Sequence, residues 1–382
     1  MQVKQIYELV NGVTTEILGK SDLIQEDLTN IVDVGKELFD TTSVDNYVKK
    51  LVNHIGKVIF VNRKYVGGAP SVLMDSWEFG AILEKISADL PTAKENASYN
   101  LVDGKSYDDN VFYQPKVTAK FFNSKVTFEI PLSFTEKQVK ESFSSANQLN
   151  GFLSMLYNSV ENALTVKIDS LIMRTINNAI GETLQSDLES DYTKTGVKAV
   201  NLLKLYNDSF ADDLTANNCL QSPDFIRFAS HTISKYKDRL SKISTLFNVG
   251  KKERFTSAEF LHIVLLSDFA SATKVYLEST VYNNELLSLP KHETIPYWQS
   301  SGLNYSFEDI SKINVKTSGG FDVVCGGILG VMFDRDAVGV CNTDRRVTTN
   351  YNAKAEFFTN YYKFDASYYN DLNENFVVFF VG

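Results

Sequence analysis

The strongest pattern of apolar and polar positions lies in SSANQLNGFLSMLYNSVENALTVKIDSLIMRTINNAI, residues 144–180. Apolar residues fall at Leu149, Phe152, Leu153, Leu156, Val160, Ala163, Leu164, Ile168, Leu171, Ile172, Ile176, Ala179 and Ile180. Spacings of three and four residues place them on one continuous helical face. The stretch has no proline and a single glycine. At about 1.5 Å per residue the helix reaches roughly 50 Å, against a usual length of roughly 11–12 residues. Gly181 is its expected C-terminal stop. The apolar face is wider than a coiled-coil seam and suits packing across a broad domain.

Shorter helices are expected before it. IYELVNGVTTEIL and LTNIVDVGKELFD are amphipathic, and Ser43 is placed to cap VDNYVKKLVNHIG, which ends at Gly56. KVIFVNRKY reads as a strand and SWEFGAILEKISADLP as a helix stopped by Pro91. From Leu90 to Phe128 the character changes. The polar tract PTAKENASYNLVDGKSYDDNVFYQPK leads into the alternating VTAKFFNSKVTFEIPLS. This predicts a two-stranded projection with a polar tip, too small to hold a core of its own. TEKQVKESFSS then starts a helix capped by Ser133 or Thr135.

After the polar linker QSDLESDYTKTGV the pattern is mixed. VKAVNLLKLYNDSF and SPDFIRFASHTISKYKDRL read as helices, the second capped by Ser222 with Pro223 at its first position. HIVLLS is a short buried strand, and Asp268 is the expected cap of DFASATKVYLEST. ISKINVKT, VVCGGILGVMFD, AVGVCN and the aromatic-rich C-terminal segments read as strands.

Composition narrows the function. The chain has 382 residues, 43% of them hydrophobic, and a formal charge of −9. Such an acidic chain is poorly suited to gripping nucleic acid, which needs clustered Lys and Arg. Cys219, Cys325 and Cys341 are odd in number and far apart, so reduced thiols are expected. No signal-peptide pattern and no apolar run long enough to span a bilayer is visible, which points to a cytoplasmic origin. The four histidines, His54, His231, His262 and His292, form no ligand pair. CGGILG lacks the spacing of a phosphate loop and reads as close backbone packing. The acidic run SDLESD reads as a solvated linker. No catalytic, cofactor-binding or metal residues are therefore assigned, and an enzyme is not expected.

The order of elements resembles that of tailed-bacteriophage major capsid proteins of the Hong Kong 97 type. KVTFEIPLSFTEKQVKESFSSANQLNGFLSMLYNSVENAL is similar to that family's passage from an extended loop into a spine helix. GGILGVMFDRDAVGV resembles its late axial strands, and NYNAKAEFFTNYYKFDASYYNDLNENFVVFF its C-terminal return. The resemblance implies an α+β fold. It implies an N-terminal arm over 1–55 and a first peripheral part over 56–89. An extended loop (E-loop) over 90–127 and a peripheral domain with the spine over 128–185 follow. An axial domain over 186–340, peripheral C-terminal strands over 341–368 and a C-terminal axial segment over 369–382 complete it.

The implied function is a major capsid protein that self-assembles into hexamers and pentamers of an icosahedral phage head. That head encloses double-stranded DNA without sequence-specific binding, has scaffolding and portal proteins as partners, and has no membrane. The implied location is the virion, assembled in the host bacterial cytoplasm. Leu153, Leu156, Val160, Leu164, Ile168, Leu171 and Ile172 are the expected spine-packing residues. Lys94, Glu95, Asp103, Lys105, Asp108 and Asp109 are candidate contacts between subunits, with a solvated loop as the alternative. Rival readings are an encapsulin-like nanocompartment shell, a tail-tube protein and a cytoplasmic enzyme without a recognisable motif.

Overall fold

The computed structural model describes residues 3–19, 24, 25, 30–41, 44, 46–52, 72, 73, 83–88, 91, 93–107, 110, 112–114, 116–278, 289–299 and 305–382. The expected Ser43 cap, the helix end at Gly56 and the strand KVIFVNRKY lie outside these residues. The chain divides into two compact units: Met1–Gly80, Lys125–Ile172 and Val340–Ser367 form one, and Ala81–Ser124, Met173–Gly339 and Tyr368–Gly382 the other.

In the first unit, amphipathic spacing produces α1 (Val3–Leu18) and α2 (Ile31–Thr41), with further helical residues at 46–52. Their apolar faces are buried through Val10, Val13, Ile31, Leu38, Tyr47 and Leu51. Tyr47 meets Phe143 edge-on at 5.4 Å. β3 (Lys125–Thr135), β10 (Val338–Asn352) and β11 (Phe357–Asn370) form a three-stranded sheet in the order β10-β11-β3. β11 and β3 pair antiparallel from Phe357↔Thr135 to Ser367↔Lys125. The inward positions of this period-two pattern carry aromatics. Phe128 lies 5.0 Å from Phe364, and Phe134 lies 6.0 Å from Phe358.

Thr135 ends β3 and caps α3 (Glu136–Ser142). Its hydroxyl accepts from Gln138 N at 3.2 Å, while its own N–H donates to Gln138 Oε1 at 2.9 Å. This reciprocal box satisfies two otherwise orphaned donors.

α4 runs from Ala146 to Leu188, 43 residues, or roughly 65 Å at the standard rise. It does not stop at Gly181, which stays helical. The glycine serves close approach instead: a Cβ there would press on Val315 Cγ2. The real stop comes at Glu189 and Ser190, both with positive φ, 48° and 70°. Asp187 belongs to the acidic run read as a solvated linker, yet its carboxylate accepts from the backbone N–H groups of Lys198 and Ala199, each at 2.9 Å.

The second unit is built on a five-stranded mixed sheet, ordered β4-β12-β9-β5-β6. Its strands are β4 (Ala199–Asn201), β5 (Leu261–Leu266), β6 (Glu293–Ile295), β9 (Ile328–Asp334) and β12 (Phe376–Phe380). β9 and β12 are buried along their whole length, as continuous apolar runs covered on both faces should be. α5 (Leu202–Phe210), α6 (Pro223–Leu240) and α7 (Ser267–Thr273) supply Tyr206, Phe225, Ile226, Ile233 and Phe269 to a core shared with Met332 and Phe379. Ser222 caps α6, with Pro223 in its first turn. Gly327 has φ +72°, and a Cβ on it would meet the Val381 carbonyl, while one on Gly330 would press on Leu265, so these two glycines of CGGILG serve close packing.

Three helix expectations need correction here. Residues 83–88 are a strand, β1, and not part of a helix over 76–91, because the strand β2 (Val117–Phe122) offers a pairing edge that local propensity does not see. The helix expected from Val197 starts at Leu202, because Ala199–Asn201 first pair with β12. Asp268 lies inside the first turn of α7, and Leu266 holds the cap position.

Candidate assembly surfaces

β1 (Leu83–Ala88) and β2 (Val117–Phe122) form an antiparallel ribbon from Leu83↔Phe122 to Ala88↔Val117. The chain between them holds the extended-loop residues. Lys94, Glu95, Asp103 and Lys105 are all exposed. Lys94 Nζ lies 5.7 Å from the Tyr113 ring centroid, and Lys105 Nζ 5.5 Å from that of Tyr107. The Asp103–Gly104 pair makes a turn, with φ +78° at Gly104 and Lys105 N donating to Val102 O at 3.2 Å. Asp108 and Asp109 lie outside the described residues.

Charge is not the whole character of this loop. Its outstanding property is exposed apolar surface. Tyr99 is 97% exposed, Phe112 84% and Tyr113 75%, and Ile86, Leu101, Val102 and Phe121 are exposed too. So many exposed large apolar side chains on one ribbon and its loop make it a candidate interaction surface. The signal was present in SYNLVDGKSY and VFY, where apolar and aromatic residues stand in a polar setting.

An ion network anchors the ribbon within its unit. Lys85 and Lys120 face each other directly across the two strands, a pairing that is unfavourable for like charges. Asp371 resolves it. Its carboxylate lies 3.1 Å from Lys85 Nζ and 3.0 Å from Lys120 Nζ. Glu374 lies 2.7 Å from Lys85 Nζ and 3.1 Å from Arg254 Nε. Burial pushes the Asp371 carboxyl up, but Lys85 and Lys120 outweigh it and hold it below the usual range. Burial pulls Lys85 down, and Glu374 and Asp371 more than reverse this. Sequence reasoning missed these residues. Their ion pairs join segments 120 or more positions apart.

Leu153, Leu156, Val160, Leu164, Ile168, Leu171 and Ile172 of α4 are all buried, while Met155 and Val166 on the same helix are exposed. Phe152 meets Phe134 edge to face at 5.4 Å. This geometry gives the helix one anchored face and one open face.

The candidate chemistry is quiet. Burial pushes the Cys219 and Cys325 thiols up to about 12, which keeps them protonated and poorly nucleophilic. Cys341 is buried. Burial lowers the pKa of His262, whose ring lies 5.9 Å from that of Phe333. His231 is exposed, His292 Nδ1 lies 2.8 Å from Pro290 O, and His54 is outside the described residues. Among the described residues no group of three His, Cys, Asp or Glu side chains could hold a metal. None of their helices is long and apolar enough to cross a membrane.

The fold is shared with phage capsids. The capsid structure of Staphylococcus phage Andhra aligns with a TM-score of 0.53 at 9% identity, covering 84% of this chain and 86% of that one. The capsid structure of the cyanophage P-SCSP1u aligns with a TM-score of 0.46 at 11% identity, over 84% and 90% of the two chains. No curated protein matches the sequence. The sequence itself matches the Phi29-like phage major capsid protein description over residues 10–380, nearly its whole length. With the α+β architecture of a capsid subunit and a sequence match of that extent, the chain belongs to the Phi29-like phage major capsid protein family.

Proposed function

We propose that this shell-forming protein, a virion component by its family, assembles into hexamers and pentamers of an icosahedral head that encloses double-stranded DNA. Assembly takes place in the host bacterial cytoplasm, with scaffolding and portal proteins as partners. The role is mechanical and not catalytic. The observation that carries this reading is the exposed apolar surface of the extended loop. Tyr99, Phe112 and Tyr113 are at least three-quarters exposed, and burying one large apolar side chain is worth about 1.5–3 kcal/mol. A loop that laps onto a neighbouring subunit recovers that free energy many times over in a closed shell. Lys94, Glu95, Asp103, Lys105, Asp108 and Asp109 then form the polar rim of the contact. Leu153, Leu156, Val160, Leu164, Ile168, Leu171 and Ile172 hold the spine helix firm under load. The −9 formal charge suits a wall that contains DNA without gripping it.

The test is negative-stain electron microscopy of the recombinant full chain, with particle mass by light scattering. Closed shells, or rings of five and six, are expected, with neighbouring phage genes co-expressed where the chain alone stays small. Deletion of residues 95–110 should leave a folded subunit that fails to close shells. Normal shells from the deletion variant would reject the contact role of the loop.

A further inference from the structure

Two exposed patches of opposite charge stand on the second unit, and each combines charge with exposed apolar side chains. The first closes α5. Phe210 is more than half exposed, and Asp208, Asp212 and Asp213 flank it with no Lys or Arg among them. Lys204 takes up Asp208 at 2.9 Å. Asp212 and Asp213, both exposed, are then the acidic charge of the patch. The Phe210 ring rests edge-on against Phe228, 5.9 Å away, beside the N-terminal half of α6.

The second patch lies past the other end of α6. Roughly 18 Å of helix separates Phe228 from Leu240. Beyond it, Ser244 and Arg254 form an antiparallel bridge with backbone bonds of 2.9 and 3.1 Å. That register sets Ile243 opposite Phe255, and Leu246 follows in the same turn. All three are more than half exposed. Arg239, Lys242 and Lys251, also exposed, flank them in the chain. Asp238 and Glu253 offset part of this charge, and Lys235 and Lys237 add to it. The surplus stays positive without Lys252 and Arg254, which have partners of their own.

We propose that these patches meet between copies: the acidic Phe210 patch of one copy docks on the basic Ile243–Phe255 patch of the next. The inference rests on the shell reading above and names surfaces that join neighbours in a ring. A second copy is the fitting occupant because it carries the complement of each patch. Apolar side chains then cover apolar ones, and Asp212 and Asp213 face Lys242 and Lys251. A nucleic acid backbone would satisfy the cations but leave Ile243, Leu246 and Phe255 in water. Because the two patches differ, the contact is head to tail, the type that closes into rings. Complementary charge fixes its register and rejects wrong pairings.

The test reverses each patch in the full chain. One variant carries Asp212→Lys and Asp213→Lys, the other Lys242→Glu and Lys251→Glu. All four positions are exposed, so the circular dichroism spectrum should stay unchanged. Sedimentation velocity reads the contact, and negative-stain electron microscopy reads the particles. The unaltered chain should self-associate, and either variant alone should do so about tenfold more weakly or worse. A chain with all four substitutions should recover, because its reversed patches attract again. A mixture of the two variants should recover only as copies that alternate. Alternation closes a ring of six and cannot close a ring of five, so the mixture should give six-membered rings alone. Full association by either variant, no recovery in the fourfold chain, or five-membered rings from the mixture would overturn the contact and leave the shell reading standing. Self-association that never closes into rings or shells would keep the contact and reject the shell. A chain monomeric at every concentration would overturn the contact, and the shell reading would then rest on its own test.

Discussion

Gly151 and Gly181 lie in the same helix, and Gly→Ala at the two positions should act with opposite sign. Alanine is about 1 kcal/mol better than glycine in a helix interior. At Gly151 a new Cβ meets nothing within 4 Å, so Gly151→Ala should stabilise by roughly that amount. At Gly181 the same Cβ would press on Val315 Cγ2, with Val323 Cβ 3.9 Å away. Val315 and Val323 are direct partners across the β7 (Ile313–Lys316) and β8 (Asp322–Cys325) hairpin. A β-branched side chain has few rotamers to retreat into. Overpacking of this kind costs about 1–3 kcal/mol. Set against the gain in propensity, Gly181→Ala should fall between neutral and about 2 kcal/mol destabilising. The two variants should therefore differ by about 1–3 kcal/mol. Urea unfolding of the full chain, followed by far-ultraviolet circular dichroism, measures that difference. Val315→Ala should relieve the clash, with a coupling of about 0.5–3 kcal/mol to Gly181→Ala in a double-mutant cycle. If Gly181→Ala stabilises as much as Gly151→Ala, the hairpin does not rest on the helix at that point.

Leu156→Ala, at a fully buried spine position, should cost about 2–5 kcal/mol and reduce the yield of soluble particles, whereas exposed Met155→Ala should do neither; sedimentation of lysates separates the two. Asp371→Ala leaves Lys85 and Lys120 facing each other without their shared carboxylate and should cost about 1–3 kcal/mol, read as a lower urea midpoint. The depressed carboxyl of Asp371 contributes stability above its unfolded pKa of about 3.9, lost as pH falls through the folded value. The raised ammonium of Lys85 contributes below about 10.4, lost as pH rises past its folded value. The ribbon anchor should therefore hold steadily between about pH 4 and 10, and a midpoint that varies across that window through these two residues would contradict the pairing. His262 acts in the opposite sense to Lys85. Its lowered pKa means the unfolded chain takes up the proton first, so stability should fall as pH drops below about 6.5, and His262→Phe should remove that slope.

The spine, the amphipathic N-terminal helices, a hydroxyl cap at Ser133 or Thr135 for the helix before the spine, and the strand character of β9 and β12 were legible without a structure; the choice of Thr135 and its reciprocal bond with Gln138 came from the structure. Each is specified by local physics: a period of 3.6, a hydroxyl residue ahead of a helical stretch, or a short run of β-branched and aromatic residues. The seven spine positions from Leu153 to Ile172 could be named as buried because a helical face needs no partner to be recognised. The end of that helix could not be placed. Gly181 looked like a stop because glycine favours left-handed backbone, and only the β7–β8 hairpin, over a hundred residues away in sequence, shows that glycine is there to make room. Residues 83–88 looked helical for a similar reason, since the edge that makes them a strand arrives at 117–122.

The extended loop marks the same divide. Its position followed from a run of polar and turn residues, but its exposed aromatics gained meaning only once no core was seen to receive them. The anchor of Lys85 and Lys120 on Asp371 was invisible in sequence. Like charges thirty-five positions apart carry no local signal, and their counter-ion lies near the C-terminus. Sequence by itself determined what each segment can form. Tertiary structure decided which segments meet, because charge pairing, glycine packing and strand choice are set by neighbours that chain order does not reveal.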